Sequence, residues 1–321
     1  MSLPPFPTSG VKLKVFLEFI EQVGGREAFY TKSSGFCGCF HRIQPFTTTD
    51  VCNRFLKPAT SGKGQSYCEL LAEQGSPDVG EATVFISHAW KYTFTDVVDA
   101  LQYHFSNEPD IFIWFDLFSN NQHKAPNLPF EWWRDTFSNA IGKMGRVVMV
   151  LSPWTNPVPF TRAWCLWEIY CAVKSNCIFE VALSPEEHEA FVKGITADGA
   201  QFYQMLANIN VENSESFNPA DKTRIFDAVI SSVGFAELNT MVVGKMRDWV
   251  ISAIDESIQQ SQNLIVLNKT SVDIVKEERV LMWGKLLAKM RMLELMGEFE
   301  KAQEIGEKCI VDFADMEQGE K

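Results

Sequence analysis

Between residues 82 and 183 the chain alternates short unbroken apolar runs with longer segments whose apolar residues recur every three or four positions. The runs ATVFIS (82–87), IFIWF (111–115), VVMVL (147–151) and Ile178 to Leu183 are rich in β-branched and aromatic residues. Such runs predict strands buried on both faces. Between them, Phe94, Val97, Val98, Leu101 and Phe105 define one helical face, and Phe130, Trp133, Phe137, Ala140, Ile141 and Met144 define another. This alternation predicts a parallel sheet covered by helices on both sides, with right-handed crossovers and the 82–87 strand in its interior.

The flanks have other patterns. Residues 1–80 predict a helix over Val11–Val23, ended by Gly24 and Gly25, and short helices over Thr49–Phe55 and Ser66–Glu73, so this part reads as a helical and irregular extension. From Ser184 onward the two-residue period disappears. Ser184-Pro185-Glu186-Glu187 forms a capping-box sequence, and Asn218-Pro219 opens a further helix that turns Ile225, Phe226, Val229 and Ile230 inward and stops near Gly234. Residues 184–275 predict a helical extension in which 261–276 is a linker. Residues 276–321 predict a hairpin of helices, Glu277–Leu295 and Glu298–Phe313, broken at Gly297.

Composition narrows the function classes. Of 321 residues, 46% are hydrophobic and 22% charged, as in water-soluble globular chains, and no apolar run reaches the ~18 residues of a membrane span. A net charge of −12 argues against nucleic-acid binding, which needs clustered Lys and Arg. The eight cysteines sit mostly inside apolar runs and read as reduced thiols of a cytoplasmic protein. Cys37, Cys39 and His41 have the wrong spacing for a zinc site, so no metal is expected. The segment SGKGQS (61–66) lacks the Walker order and reads as a surface loop.

One helix holds an anomaly. The segment Thr161–Val173, TRAWCLWEIYCAV, is apolar nearly all round and therefore predicted buried, with Thr161 as its N-cap. Glu168 sits in its middle, two turns from the helix start. A carboxylate there is unfavourable unless it is paired or used. One reading makes Glu168 the partner of Arg162, Arg134 or Lys91; the other makes it a functional acid.

Residues 82–183 resemble a Toll/interleukin receptor (TIR) domain. The strand and loop VFISHAW resemble the start of that domain, and Trp164, Cys165, Glu168 and Ile169 match its W-C-x-x-E-[LI] motif after the third strand. The segment FDLFSNNQHKAPNLPFEWW departs from the family, because it is long and lacks the short acidic, glycine-containing loop. Residues 295–302, LMGEFEKA, resemble the turn of a tetratricopeptide repeat, as in a divergent TIR-like group fused to kinesin-light-chain-like repeats. Single repeats need neighbours, so the hairpin reads either as the start of a repeat array in a longer protein or as a pair of helices that packs elsewhere.

The resemblance implies a flavodoxin-like doubly wound sheet and a site at the carboxyl ends of its strands, where the strand order reverses. It also implies cleavage of NAD+ at the nicotinamide–ribose bond, or a related cyclisation, with Glu168 as catalytic acid residue and NAD+ as substrate rather than bound cofactor. Around it the loops supply Ser87, His88, Trp90, Lys91, Asp116, Trp154, Arg162, Trp164 and Cys165 as substrate-binding candidates, with Asn120, Asn121, Gln122 and His123 on the rim. Trp90 or Trp154 would stack on a ring, and Lys91 and Arg162 would meet the pyrophosphate. The same residues read blandly as core tryptophans and loop polar groups. Self-assembly on activation and protein partners on the C-terminal helices are expected. The alternative function is a non-catalytic signalling module.

Overall fold

The computed structural model describes residues 4–31, 44–125, 128–197, 199–268 and 270–318, with side chains described through residue 309. The Cys37, Cys39 and His41 cluster lies outside the described residues. The chain is an α/β protein that divides into two compact units. One comprises residues 1–186 and 210–242, and the other residues 187–209 and 243–321.

The first unit is built on six strands: β1 (Ser9–Lys12), β2 (Val79–Glu81), β3 (Val84–Ser87), β4 (Phe112–Phe115), β5 (Arg146–Val150) and β6 (Ile178–Ala182). Their order across the sheet is β2-β1-β4-β3-β5-β6. β4, β3, β5 and β6 are mutually parallel, with Phe85 opposite Trp114 on one side and Val147 on the other. β1 pairs antiparallel with both β2 and β4, so the sheet is mixed and not purely parallel as the strand–helix alternation predicts. β3 lies in the interior of the sheet, as expected, and all four of its residues are buried.

The two antiparallel strands correct the reading of the first eighty residues as helix and irregular chain. Val11 belongs to β1, and the helix predicted from it begins at Leu13. Gly10 makes this pairing close: a Cβ there would meet the Ile113 carbonyl oxygen at 2.5 Å and its carbon at 2.7 Å. Backbone atoms of a central strand cannot retreat. Gly10→Ala is expected to destabilise the protein by about 1–2 kcal/mol, read as a lower urea midpoint in chemical denaturation.

Side chains alternate across the sheet and fix its two faces. Val84, Ile86, Ile113, Phe115, Val148 and Val150 join one core with the helices Leu13–Val23 and Phe94–His104. On the opposite face Phe85 stacks on Trp114 at 4.6 Å and meets Phe137 of the Phe130–Met144 helix edge-on at 5.6 Å. That helix packs beside Ala163–Lys174, the helix that carries Glu168. By the same alternation Ser87 falls on the Phe85 face at the carboxyl end of β3.

The Glu168 helix starts later than predicted. Its N-cap is Arg162, with no side-chain cap, while the Thr161 hydroxyl donates to the Val158 carbonyl at 2.8 Å. Backbone bonds to Glu215 hold its start instead: Ala163 N–H reaches the Glu215 carbonyl at 3.0 Å, and Glu215 N–H reaches the Thr161 carbonyl at 2.8 Å.

From Ser184 onward every described regular element is a helix. Asn218 caps Pro219–Ser232 by accepting from Ala220 N–H at 3.1 Å. Ile225 and Val229 are buried as predicted, whereas Ile230 is 60% exposed. The expected linker over 261–276 is mostly helical: Gly234–Leu267 runs through its first part, and the next helix begins at Val272. Within the second unit, Phe191 packs on Trp249 with ring centroids 4.7 Å apart. The helices Val272–Leu295 and Phe299–Gln318 form the predicted hairpin, turned at Gly297 with a positive φ of 81°.

Candidate functional site

Two strand ends and one helix bring polar groups together at the carboxyl edge of the sheet. β3 ends in Ser87 and continues into His88, Ala89 and Trp90. β4 ends in Phe115 and is followed at once by Asp116. The Ala163–Lys174 helix presents Glu168.

Ser87 is buried, and its hydroxyl donates to Glu168 Oε2 at 2.5 Å. Glu168 itself is half-buried, while its helical neighbours Leu166, Trp167, Ile169 and Tyr170 are buried. Among the described residues no Arg or Lys forms an ion pair with it. Arg134 instead pairs with Asp135 at 2.7 Å. The reading of Glu168 as a partner for Arg162, Arg134 or Lys91 is therefore replaced by a hydroxyl partner. Burial pushes the Glu168 carboxyl up to about 8 against the opposing Ser87 hydrogen bond, and ionisation of Asp116 raises it further.

Asp116 is the second unusual carboxyl. Trp90 Nε1 donates to its Oδ2 at 2.5 Å, whereas its Oδ1 is buried without a hydrogen-bond donor. Burial pushes Asp116 up to about 7, against the opposing hydrogen bonds from Trp90 and the Leu117 backbone. His88 is buried, and desolvation lowers it to about 3, so its imidazole is neutral. Two acids and a neutral histidine, all perturbed mainly by burial, meet at the carboxyl ends of β3 and β4. Such clustering marks a candidate site for proton or charge chemistry.

The remaining predicted residues fall into separate places. Cys165 is buried and its thiol points to the His88 carbonyl at 3.5 Å; burial holds it well above the usual thiol range, so it lines the site as an inert group. Trp164 is part-exposed and packs against Phe130 and Phe137 at centroid distances of 5.7 and 5.8 Å. Trp154 is only 3% exposed, which leaves it no open face for stacking. Trp90 is the part-exposed indole beside the acids. Arg162 occupies the N-cap position of the Glu168 helix and makes no side-chain cap there. On the rim, Gln122 donates to the Asp116 carbonyl at 2.7 Å, Asn121 to the Gly64 carbonyl at 2.7 Å, and His123 meets the Thr60 hydroxyl at 2.9 Å. These bonds tie the rim to the end of β4 and to the Lys57–Thr60 helix and its turn, and residues 126–127 beyond them are outside the described residues.

Lys91 belongs elsewhere. It is exposed and lines a cleft of about 280 Å³ with Asp96, Val150, Ser152 and Ser184. That cleft also lies at strand carboxyl ends, but its floor is the Phe94–His104 helix, and it includes neither Ser87, Asp116 nor Glu168. Shape and chemistry thus separate. The cleft supplies open volume but none of the perturbed acids, and reactive groups outweigh volume in locating the chemistry.

Thr48 is the site residue that sequence reasoning missed. It is fully buried, and its hydroxyl lies 3.3 Å from His88 Nε2 and donates to the Trp90 carbonyl at 2.6 Å. The only local signal was the capping box of Thr47 and Asp50, which places Thr48 at a helix start.

The Ser87 contact makes a direct prediction. Removing it takes away the bond that stabilises the ionised carboxyl, so Ser87→Ala is expected to move the Glu168 titration further upward. Carboxyl-carbon NMR of labelled glutamate reads that shift, and an unmoved titration contradicts the assigned contact.

Comparison of the chain with family models, with curated proteins and with solved structures finds no match.

Proposed function

We propose that the protein cleaves the N-glycosidic bond of a nicotinamide nucleotide, with NAD+ as the substrate and Glu168 as the catalytic carboxylate. The observation that carries this reading is the half-buried Glu168 carboxyl held by Ser87 and free of any ion pair among the described residues. A carboxyl in that state is matched to a cationic ligand. The pyridinium ring of NAD+ favours loss of the Glu168 proton, because an opposite charge nearby stabilises the ionised form. The resulting carboxylate then stabilises the positive charge that builds on the ribose as the bond breaks. Nicotinamide leaves with the bonding electron pair as a neutral molecule. Water, or a second atom of the same nucleotide, takes its place at the ribose carbon and loses a proton.

Trp90 is placed to stack on a planar ring, since it is part-exposed and fixed through Asp116. The strand order β4-β3-β5-β6 supports a flavodoxin-like arrangement of the parallel half of the sheet, in which ligands bind at the strand carboxyl ends. The TIR resemblance adds the motif around Glu168. Incubation with NAD+ followed by chromatography tests the reading: free nicotinamide is expected from NAD+, and the reduced dinucleotide, whose nicotinamide ring carries no charge, should be a poor substrate.

A second reading has its own observation. On the helical hairpin of the second unit, Val272, Val280, Leu295 and Phe299 are between 61% and 76% exposed. Large apolar side chains in that number favour a protein contact, either with further repeats or with a second copy. Leu295→Glu together with Phe299→Glu is expected to weaken any self-association seen by sedimentation while leaving helix content unchanged.

A further inference from the structure

Four side chains close a ring at the ends of β3 and β4. Trp90 Nε1 donates to Asp116 Oδ2 at 2.5 Å, and Asp116 Oδ1 lies 3.7 Å from His88 Nδ1. His88 Nε2 lies 3.3 Å from Thr48 Oγ1, which in turn donates to the Trp90 carbonyl at 2.6 Å.

Counting protons round this ring determines its state. Thr48 has one hydroxyl proton, and the shorter contact to the Trp90 carbonyl uses it. Its oxygen therefore accepts from His88, which places the imidazole proton on Nε2. A neutral imidazole has no second proton, so Nδ1 presents a lone pair. That lone pair faces Asp116 Oδ1, a buried oxygen with no donor of its own. An ionised Asp116 would set two bare acceptors against each other in a desolvated site, which is unfavourable. A carboxylic acid with its proton on Oδ1 removes this conflict, while at 3.7 Å the pair stands too far apart for a formed hydrogen bond.

We infer that Asp116 is a neutral carboxylic acid in the folded protein at mildly acidic pH, and that its Oδ1–H points at His88 Nδ1. It thereby acts as the positioning residue that holds the Ser87–Trp90 loop against Glu168. The groups that face Asp116 agree with a neutral state. His88 and Trp90 come from the loop after β3, Glu168 and Cys165 from the Ala163–Lys174 helix, and Cys52 from the segment Cys52–Leu56. None of them carries a positive charge, and burial raises the acid and keeps the histidine neutral.

The consequence is a loop whose geometry depends on one proton. When Asp116 ionises, Oδ1 and Nδ1 repel and the ring opens beside Ser87, the donor that holds Glu168. The catalytic meaning of this step rests on the proposed NAD+ cleavage; the proton assignment does not.

The test is nitrogen NMR of the full chain labelled at histidine, with the His88 signals assigned by loss in His88→Gln. In the wild type at about pH 6, His88 is expected as the Nε2–H tautomer with an unprotonated Nδ1, and the Nδ1 resonance should move as Asp116 ionises near pH 7. Asp116→Asn can donate an amide N–H to Nδ1 and accept from Trp90, so it should keep the tautomer and abolish the pH-dependent movement. Asp116→Ala should displace the Nδ1 resonance at every pH; if it does not fold, the asparagine variant decides alone. A His88 protonated on Nδ1, or an Nδ1 resonance that moves identically with pH in the wild type and Asp116→Asn, overturns the inference. Absence of nicotinamide release with the tautomer intact overturns the proposed reaction and leaves the proton assignment standing.

Discussion

Glu168→Gln is expected to reduce nicotinamide release by about a thousandfold, the scale seen when one preorganised group that stabilises developing charge is removed. The substitution keeps the shape and hydrogen-bonding capacity of the side chain. The amide oxygen of the variant can still accept from the Ser87 hydroxyl, so the packing of the Ala163–Lys174 helix should persist. What is lost is the negative charge available once a cationic substrate arrives. The loss should fall on kcat more than on KM, because the charge matters most as the bond breaks. An active Glu168→Gln enzyme would remove Glu168 from the chemistry.

The second large effect is on stability, and its sign follows from the raised acids. Glu168 is pushed from 4.5 to about 8, and Asp116 from 3.8 to about 7, by burial above all. The folded state therefore holds these protons more tightly than the unfolded chain. Their contribution to stability is fully present below about pH 4 and is lost as the pH rises through 7 and 8. At about pH 9 the wild type carries the full penalty of an ionised Glu168, and Glu168→Gln does not. After discounting for the partial exposure of the side chain, the variant should be more stable there by about 3 kcal/mol, with the difference vanishing near pH 4. Urea unfolding of both proteins across this range measures it. A constant difference at all pH values would show that Glu168 titrates normally.

The core strands were legible because burial on both faces leaves an unbroken apolar run, as in Phe85, Ile86, Trp114, Phe115, Val147 and Val148. β1 and β2 were not, because SGVK and VGE are three or four residues long, carry a glycine each and have no period to detect. Their place in the sheet depends on long-range contacts, above all the close approach of Gly10 to Ile113. The start of the Glu168 helix was misread for a similar reason: the backbone of Glu215, some fifty residues away, supplies the bonds that a capping hydroxyl at Thr161 would have offered.

At the site, the oddity of Glu168 was legible from its apolar helix; Ser87 meets it directly, while His88, Trp90, Asp116 and Cys165 meet one another at the ends of β3 and β4. The identity of its partner was not, since a sequence pairs a buried acid with the nearest cation, whereas the fold offers a hydroxyl. Lys91 and Trp154 were placed by proximity in sequence to the strand ends. One lines a separate cleft and the other is buried in the core. Thr48 joins His88 across forty positions and gave no local sign of its role.

The most direct measurement is chromatography of NAD+ incubated at about pH 7.5 with the wild-type protein, with a crowding agent to promote assembly and Glu168→Gln in parallel at matched thermal stability. Nicotinamide is expected to accumulate with the wild type and not with the folded variant. Unchanged NAD+ with an assembled, folded wild type would contradict the proposed cleavage and leave the protein-contact reading in its place.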